Sequence, residues 1–156
     1  METLEQFLER AGDGPVLVSA CLVGLATRYD GGSQPNQALI AFAKGHRAIP
    51  VCPEQLGGLA TPRSKATLAG GDGAAALAGR AKVRAESGRD VTENFLRGAK
   101  LAAAIARMSG ARFAVLKEKS PSCGVTKTCV DGKPADGSGV TTAVLKMMGV
   151  EIFAVP

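Results

Sequence analysis

Short apolar runs separated by helix-patterned segments constrain this chain more than any other feature. Pro15–Ser19, Arg47–Val51, Ala111–Leu116 and Val150–Val155 each read as a buried strand. Between them, Gln37–Lys44 has helical composition with Gly45 as its cap. Thr92 is expected to N-cap a long helix whose inner face carries Phe95, Leu96, Ala99, Ala102, Ala103 and Ala106, and Gly110 ends it. Thr141–Met148 reads as a last helix before Gly149, and Leu4, Phe7 and Leu8 mark a short first one ended by Gly12–Asp13–Gly14. Strands of this kind alternating with helices predict a parallel sheet covered on both faces. The expectation is therefore a compact three-layer, Rossmann-like α/β domain over residues 1–156, with a mostly parallel sheet and long functional loops. Pro53–Asp90 is read as irregular apart from a helical turn at Ala74–Leu77. Glu118–Gly139 is read as loop, with a hairpin around Val130–Asp131–Gly132.

That topology gives the cysteines their meaning. Cys21 lies two residues after the first strand, Cys52 directly after the second, and Cys123 in the loop after the third. The carboxyl ends of parallel strands share one edge, where ligands bind, so three thiols distant in sequence are brought to one rim. Converging soft thiolates suit an iron–sulfur cluster or zinc. Zinc wants a fourth protein ligand, and the one histidine, His46, is placed away from that rim. Three cysteines on a cubane leave one iron with an open, Lewis-acidic position. The fourth cysteine, Cys129, reads as a small buried hydrophobe.

Composition narrows the partners. Glycine is frequent, at 20 residues, and aromatics are scarce, at 4%, so close backbone approach to a ligand is favoured over base stacking. The net charge of +5 is dispersed, which serves solubility and equally suits a phosphate-bearing ligand such as a nucleotide or RNA. METLEQFLER at the start is acidic and lacks an apolar signal core, and no stretch approaches a membrane span. A cytoplasmic protein is expected, with cysteines that act as ligands or catalytic groups rather than structural disulfides.

Polar groups crowd the thiols. Glu54, two residues after Cys52, suits general acid/base work once desolvated. Ser120 and Ser122 can donate to cluster or substrate, or simply close turns around Pro121. Asp30 can accept an imide N–H or close an Asx turn, and Lys117 and Lys119 are expected to lower the pKa of the third cysteine, Cys123, and to attract phosphate.

Taken together, Ser19-Ala20-Cys21-Leu22-Val23-Gly24, Arg28-Tyr29-Asp30-Gly31-Gly32, Val51-Cys52-Pro53-Glu54, Leu59-Ala60-Thr61-Pro62-Arg63, Gly71-Asp72-Gly73, Val91-Thr92, Lys117-Glu118-Lys119-Ser120-Pro121-Ser122-Cys123-Gly124 and Gly139-Val140-Thr141 resemble the bacterial thiouracil desulfidase family, from about Val16 to Val155. The resemblance implies a [4Fe–4S] cluster on Cys21, Cys52 and Cys123, and non-redox removal of sulfur from thiolated pyrimidines to give uracil and sulfide. It implies catalytic roles for Glu54, Ser122 and Asp30, and substrate contacts from Ser19, Arg28, Tyr29, Arg63, Lys117, Lys119 and Ser120. The substrate is expected to be a thiouracil-type base or nucleotide, with thiolated tRNA as a further candidate. Cys129 departs from the family pattern, which has an apolar residue before an aromatic–Asp–Gly turn. Two other readings stay open on the residues alone: a cluster- or metal-carrying module without catalysis, and a thiol redox protein, which the lack of CxxC weakens.

Overall fold

The computed structural model describes residues 1–156. In chain order the elements are α1 (Leu4–Ala11), β1 (Val16–Ser19), a 3-10 turn (Ala20–Val23), α2 (Gln37–Gly45), β2 (Ala48–Val51), α3 (Pro53–Leu56), β3 (Ala66–Ala69) and α4 (Gly73–Leu77). They continue with β4 (Lys82–Ala85), α5 (Thr92–Ser109), β5 (Phe113–Lys117), β6 (Lys127–Val130), β7 (Lys133–Asp136), α6 (Val140–Met147) and β8 (Glu151–Val155).

The four apolar runs build one sheet, ordered β2-β1-β5-β8, with every pairing parallel. Alternation along the strands decides which helices cover which face. Val16, Val18 and Val115 pack with Phe7 and Leu8 of α1 and Leu39 of α2. Leu17, Ala114 and Leu116 face the other way, onto Ala106 of α5 and Leu145 of α6. The result is three layers, as expected. The chain leaves β1 across one face toward β2 and leaves β5 across the other toward β8, so the direction of winding reverses between β1 and β5. In open α/β sheets that reversal opens a crevice at the strands' carboxyl ends.

Pro53–Asp90 is not irregular. It forms α3, β3, α4 and β4, and the two strands join the β6–β7 hairpin in a second sheet ordered β4-β3-β6-β7. The hairpin itself was anticipated: Asp131 (φ 51°) and Gly132 (φ 79°) adopt the positive-φ pair of a two-residue turn. The second sheet covers its own core, in which Leu68 and Val83 meet Phe95 and Ala99 of α5. Helix α5 thus lines both cores, with Phe95 and Ala99 in one and Ala106 in the other.

Thr92 does not cap α5. It is the first helical residue and is buried, accepting from the Val83 N–H (2.9 Å) and donating to Asp90 Oδ1 (2.6 Å). Asp90 also accepts the Thr92 N–H at 2.9 Å, which is the work expected of a cap. Further along, α5 approaches α3 with no room for a side chain: a Cβ on Gly98 would lie 1.9 Å from the Pro53 carbonyl oxygen. Asn94 adds a bond from its Nδ2 to the Gly57 carbonyl (2.9 Å), which anchors the short helix that follows Cys52. No helix is long and apolar enough to cross a membrane.

Candidate functional site

Beyond the carboxyl ends of β1, β2 and β5 lies a cavity of about 280 Å³. Cys21 on the 3-10 turn, Cys52 at the N-cap of α3 and Cys123 in the β5–β6 loop all line it. The same cavity is lined by Ser19, Arg28, Tyr29, Glu54, Arg63, Lys117, Lys119, Ser120 and Ser122. One of the expected residues, Asp30, is not on that surface. Its Oδ1 accepts the Gly32 N–H at 2.9 Å and lies 3.7 Å from Arg28 Nε, so it closes an exposed Asx turn and steadies the Arg28 loop.

Each thiol is held by backbone logic. The loop after Cys21 is folded back by Gln34 N–H donating to the Cys21 carbonyl (2.9 Å) and Asn36 N–H donating to that of Leu22 (2.8 Å). Cys52 Sγ sits 3.6 Å from the Thr27 carbonyl and 3.9 Å from Arg63 Nη2. Cys123 belongs to a loop docked on the start of α6, where the Val140 and Thr141 N–H groups donate to the carbonyls of Pro121 and Ser122 (3.0 and 2.9 Å). The contact is backbone on backbone, since a Cβ on Gly139 would lie 2.4 Å from the carbonyl carbon of Ser122.

Two of the thiols, Cys21 and Cys123, are buried enough to resist ionisation. Burial pushes Cys21 up against the opposing charge of Arg28, and it pushes Cys123 up to about 12 despite the hydroxyls of Ser122 and Ser19. The expectation that Lys117 and Lys119 lower the third thiol's pKa is therefore corrected. Lys117 acts on Cys21, where burial of the thiol outweighs it; the Lys117 ammonium is itself depressed, first by burial and then by Arg28.

Glu54 faces the cavity with 16% of its side chain exposed, paired to Arg63 Nε at 3.1 Å. Desolvation raises its carboxyl above the usual range, and the Arg63 charge opposes without cancelling. Arg63 is itself fixed by the Thr27 carbonyl (2.8 Å) and Thr61 Oγ1 (2.8 Å). Ser120 Oγ accepts the N–H groups of both Ser122 (3.1 Å) and Cys123 (3.0 Å). Arg28 is oriented by Gln34 Oε1 (2.8 Å), and the Tyr29 ring lies 5.6 Å from its guanidinium and 5.9 Å from the Lys65 ammonium.

Three residues went unassigned in the sequence reading. Lys65 and Ala66 at the start of β3, together with Cys129 of β6, form the cavity wall contributed by the second sheet. Cys129 is buried, as expected, with its thiol 3.4 Å from Thr67 Oγ1, and it also faces the site. Glu118 is the third. Its carboxylate accepts from Val125 N (2.6 Å), Thr126 Oγ1 (2.7 Å), Lys127 N (3.0 Å) and Thr126 N (3.1 Å). Burial works to raise its pKa, and these bonds outweigh burial, so it lies below the usual range. A carboxylate held low contributes stability that is present above the unfolded group's pKa and is lost as pH falls through the folded value. Glu118→Gln keeps one oxygen for the three N–H groups but loses the charge and the second acceptor that Thr126 uses. It is expected to cost about 3 kcal/mol in urea unfolding at neutral pH and to flatten the acid limb of stability against pH.

The donor set fits an iron–sulfur cluster better than one ion. No three His, Cys, Asp or Glu side chains sit close enough to share a single metal ion. Three thiols lining one cavity suit an iron–sulfur cubane, whose thiolates bind different irons. All four cysteines are free.

Comparison with known proteins agrees with this geometry. The family model described as 2-thiouracil desulfurase matches residues 16–155. The Bacillus subtilis (strain 168) protein YbbK is 40% identical over 142 residues, which is 89% of this chain and 94% of that protein. The solved structure of a [4Fe–4S]-dependent thiouracil desulfidase, TudS, is 41% identical and superposes with a TM-score of 0.77 over 90% of each chain.

Proposed function

The chain belongs to the 2-thiouracil desulfurase family, and from that premise we infer that it is a [4Fe–4S]-dependent desulfidase that exchanges the sulfur of a thiouracil-type pyrimidine for oxygen. The observation that carries this reading is the meeting of three strand-end thiols and one desolvated carboxylate in a single cavity. Cys21, Cys52 and Cys123 would hold the cluster. When bound, it supplies an iron with an open position, a Lewis acid for a thiocarbonyl sulfur.

The chain's own groups do the rest. Glu54, aimed by Arg63, takes a proton from the water that adds to the C=S carbon. As the adduct collapses, a C=O bond replaces the C–S bond and sulfur departs as sulfide, with no net electron transfer. Ser120 spends its lone pairs on two N–H groups, which leaves its hydroxyl proton to donate to the pyrimidine. Ser122 and Ser19 are buried beside Cys123 and act on the sulfur rather than on the base. The ammonium groups of Lys65, Lys117 and Lys119 and the Arg28 guanidinium surround the cavity, so the reading extends to thiopyrimidine nucleotides and to thiolated RNA presenting an unstacked base. We place the reaction in the cytoplasm, where free thiols persist, and treat residues 1–156 as one domain because α5 serves both cores.

The test is anaerobic reconstitution with iron and sulfide, followed by metal counting and incubation with 2-thiouracil, 4-thiouracil and their nucleotides. Loaded protein is expected to release sulfide and the oxo-pyrimidine in equal amounts. Loaded protein that releases none would instead be a cluster carrier.

A further inference from the structure

Cys123 is embedded among hydroxyls in a way the desulfurase reading does not require. Ser122 Oγ lies 3.6 Å from Cys123 Sγ and 3.3 Å from Thr141 Oγ1. Ser122 is 1% exposed and Thr141 is fully buried, so neither hydroxyl has water as an alternative partner. Ser122 and Thr141 hydroxyls each carry one proton. A thiolate can only accept, so once Cys123 ligates iron the proton between Oγ and Sγ belongs to Ser122. Ser122 then has no proton left for Thr141, and Thr141 must donate to Ser122. Deprotonation of one sulfur therefore sets the direction of the whole file: Thr141 to Ser122 to Cys123. The backbone holds the three in place. The Thr141 N–H donates to the Ser122 carbonyl at 2.9 Å, and Thr142 Oγ1 donates to the Cys123 carbonyl at 2.9 Å.

We propose that Thr141 is a positioning residue that aims and polarises the Ser122 hydroxyl at the Cys123 thiolate and so tunes the iron–sulfur group that thiolate holds. Hydrogen bonds in series strengthen one another in a low-dielectric interior. A hydrogen bond to a ligating sulfur draws electron density from it, which makes the irons more electron-poor. That raises the reduction potential and sharpens the Lewis acidity the reaction uses. The inference rests on the cluster assignment made above, and its test is arranged to separate the two.

Wild type, Thr141→Val, Thr141→Ser, Ser122→Ala and Thr142→Val are reconstituted anaerobically and compared by iron content, far-UV spectrum and the midpoint potential of the cluster. Valine keeps the volume of threonine without the hydroxyl, and serine keeps the hydroxyl without the methyl. The expected result is a more negative midpoint in Thr141→Val and a larger shift in the same direction in Ser122→Ala. Thr141→Ser should stay at the wild-type value. Thr142→Val, which loses a bond to the Cys123 carbonyl and none to its sulfur, should also keep the wild-type midpoint. A wild-type midpoint in Thr141→Val overturns the proposal, as do equal shifts in Thr141→Val and Thr141→Ser. If Thr141→Val fails to fold, Ser122→Ala decides: an unshifted midpoint there refutes the thiolate-tuning role. Wild-type protein that takes up no iron defeats the cluster reading itself, whereas a loaded wild type with unmoved variants defeats only this inference.

Discussion

Cys52→Ser is expected to lose the cluster and sulfide release together, with both falling to background after reconstitution. The position allows no substitute. Cys52 caps α3, and α3 is locked to α5 where Gly98 meets the Pro53 carbonyl, so the backbone cannot shift to bring another donor forward. A serine hydroxyl is a hard ligand that stays protonated at neutral pH, and it matches soft iron–sulfur chemistry poorly. With two thiols remaining, the site no longer has a ligand for each of three irons. Cys129 does not replace the lost thiol, because β6 holds it in the opposite wall against Thr67. The check is iron content and visible absorbance beside the sulfide assay. Full turnover without iron would refute the assignment of Cys52 and, with it, the mechanism.

Glu54→Gln separates chemistry from assembly. The amide has the carboxylate's shape and can still accept from Arg63 Nε, so the fold, the thiols and the bound iron should be unchanged. What disappears is a group able to take a proton from a water in the cavity. General bases of this kind contribute about 10²- to 10⁴-fold to rate, and a fall in kcat of that size is expected with normal iron content. Desolvation raises the Glu54 carboxyl above the usual range, so its basic form is gained as pH rises through that displaced value. Unaltered kcat in the amide variant would remove Glu54 from the proton transfer.

The parallel sheet was legible because its strands are continuous apolar runs, such as Val16–Leu17–Val18, whose residues are buried on both faces. Placing Cys21, Cys52 and Cys123 at strand ends followed from that, and so did the cavity. The second sheet was not legible. Its strands, ATLA, KVRA, KTCV and KPAD, show no long apolar run, and three of the four carry charges: Lys82 and Arg84, Lys127, and Lys133 with Asp136. Two of them also pair with partners far along the chain: Leu68 of β3 meets Val130 of β6. Local pattern does not encode such a pairing. The role of Glu118 escaped for a related reason, since four donors converge on it only after the loop has closed. For Asp30 the sequence left two readings, an imide acceptor or an Asx turn, and the structure forms the turn.

The cavity is a seam between two sheets, and its halves answer to different demands. One rim, at the ends of β1, β2 and β5, carries Cys21, Cys52, Cys123 and the Glu54 carboxylate, the groups to which we assign the cluster and the proton transfer. The facing side presents Lys65, just before β3, with Ala66 of β3 and Cys129 of β6; to none of these have we assigned a part in the sulfur exchange, and Lys65 is assigned only to attracting phosphate. Side chains on that side can therefore be exchanged to admit a bulkier or differently charged guest while the reactive half stays intact. A fold partitioned in this way lets one inorganic reaction be inherited unchanged as the molecules it serves diversify.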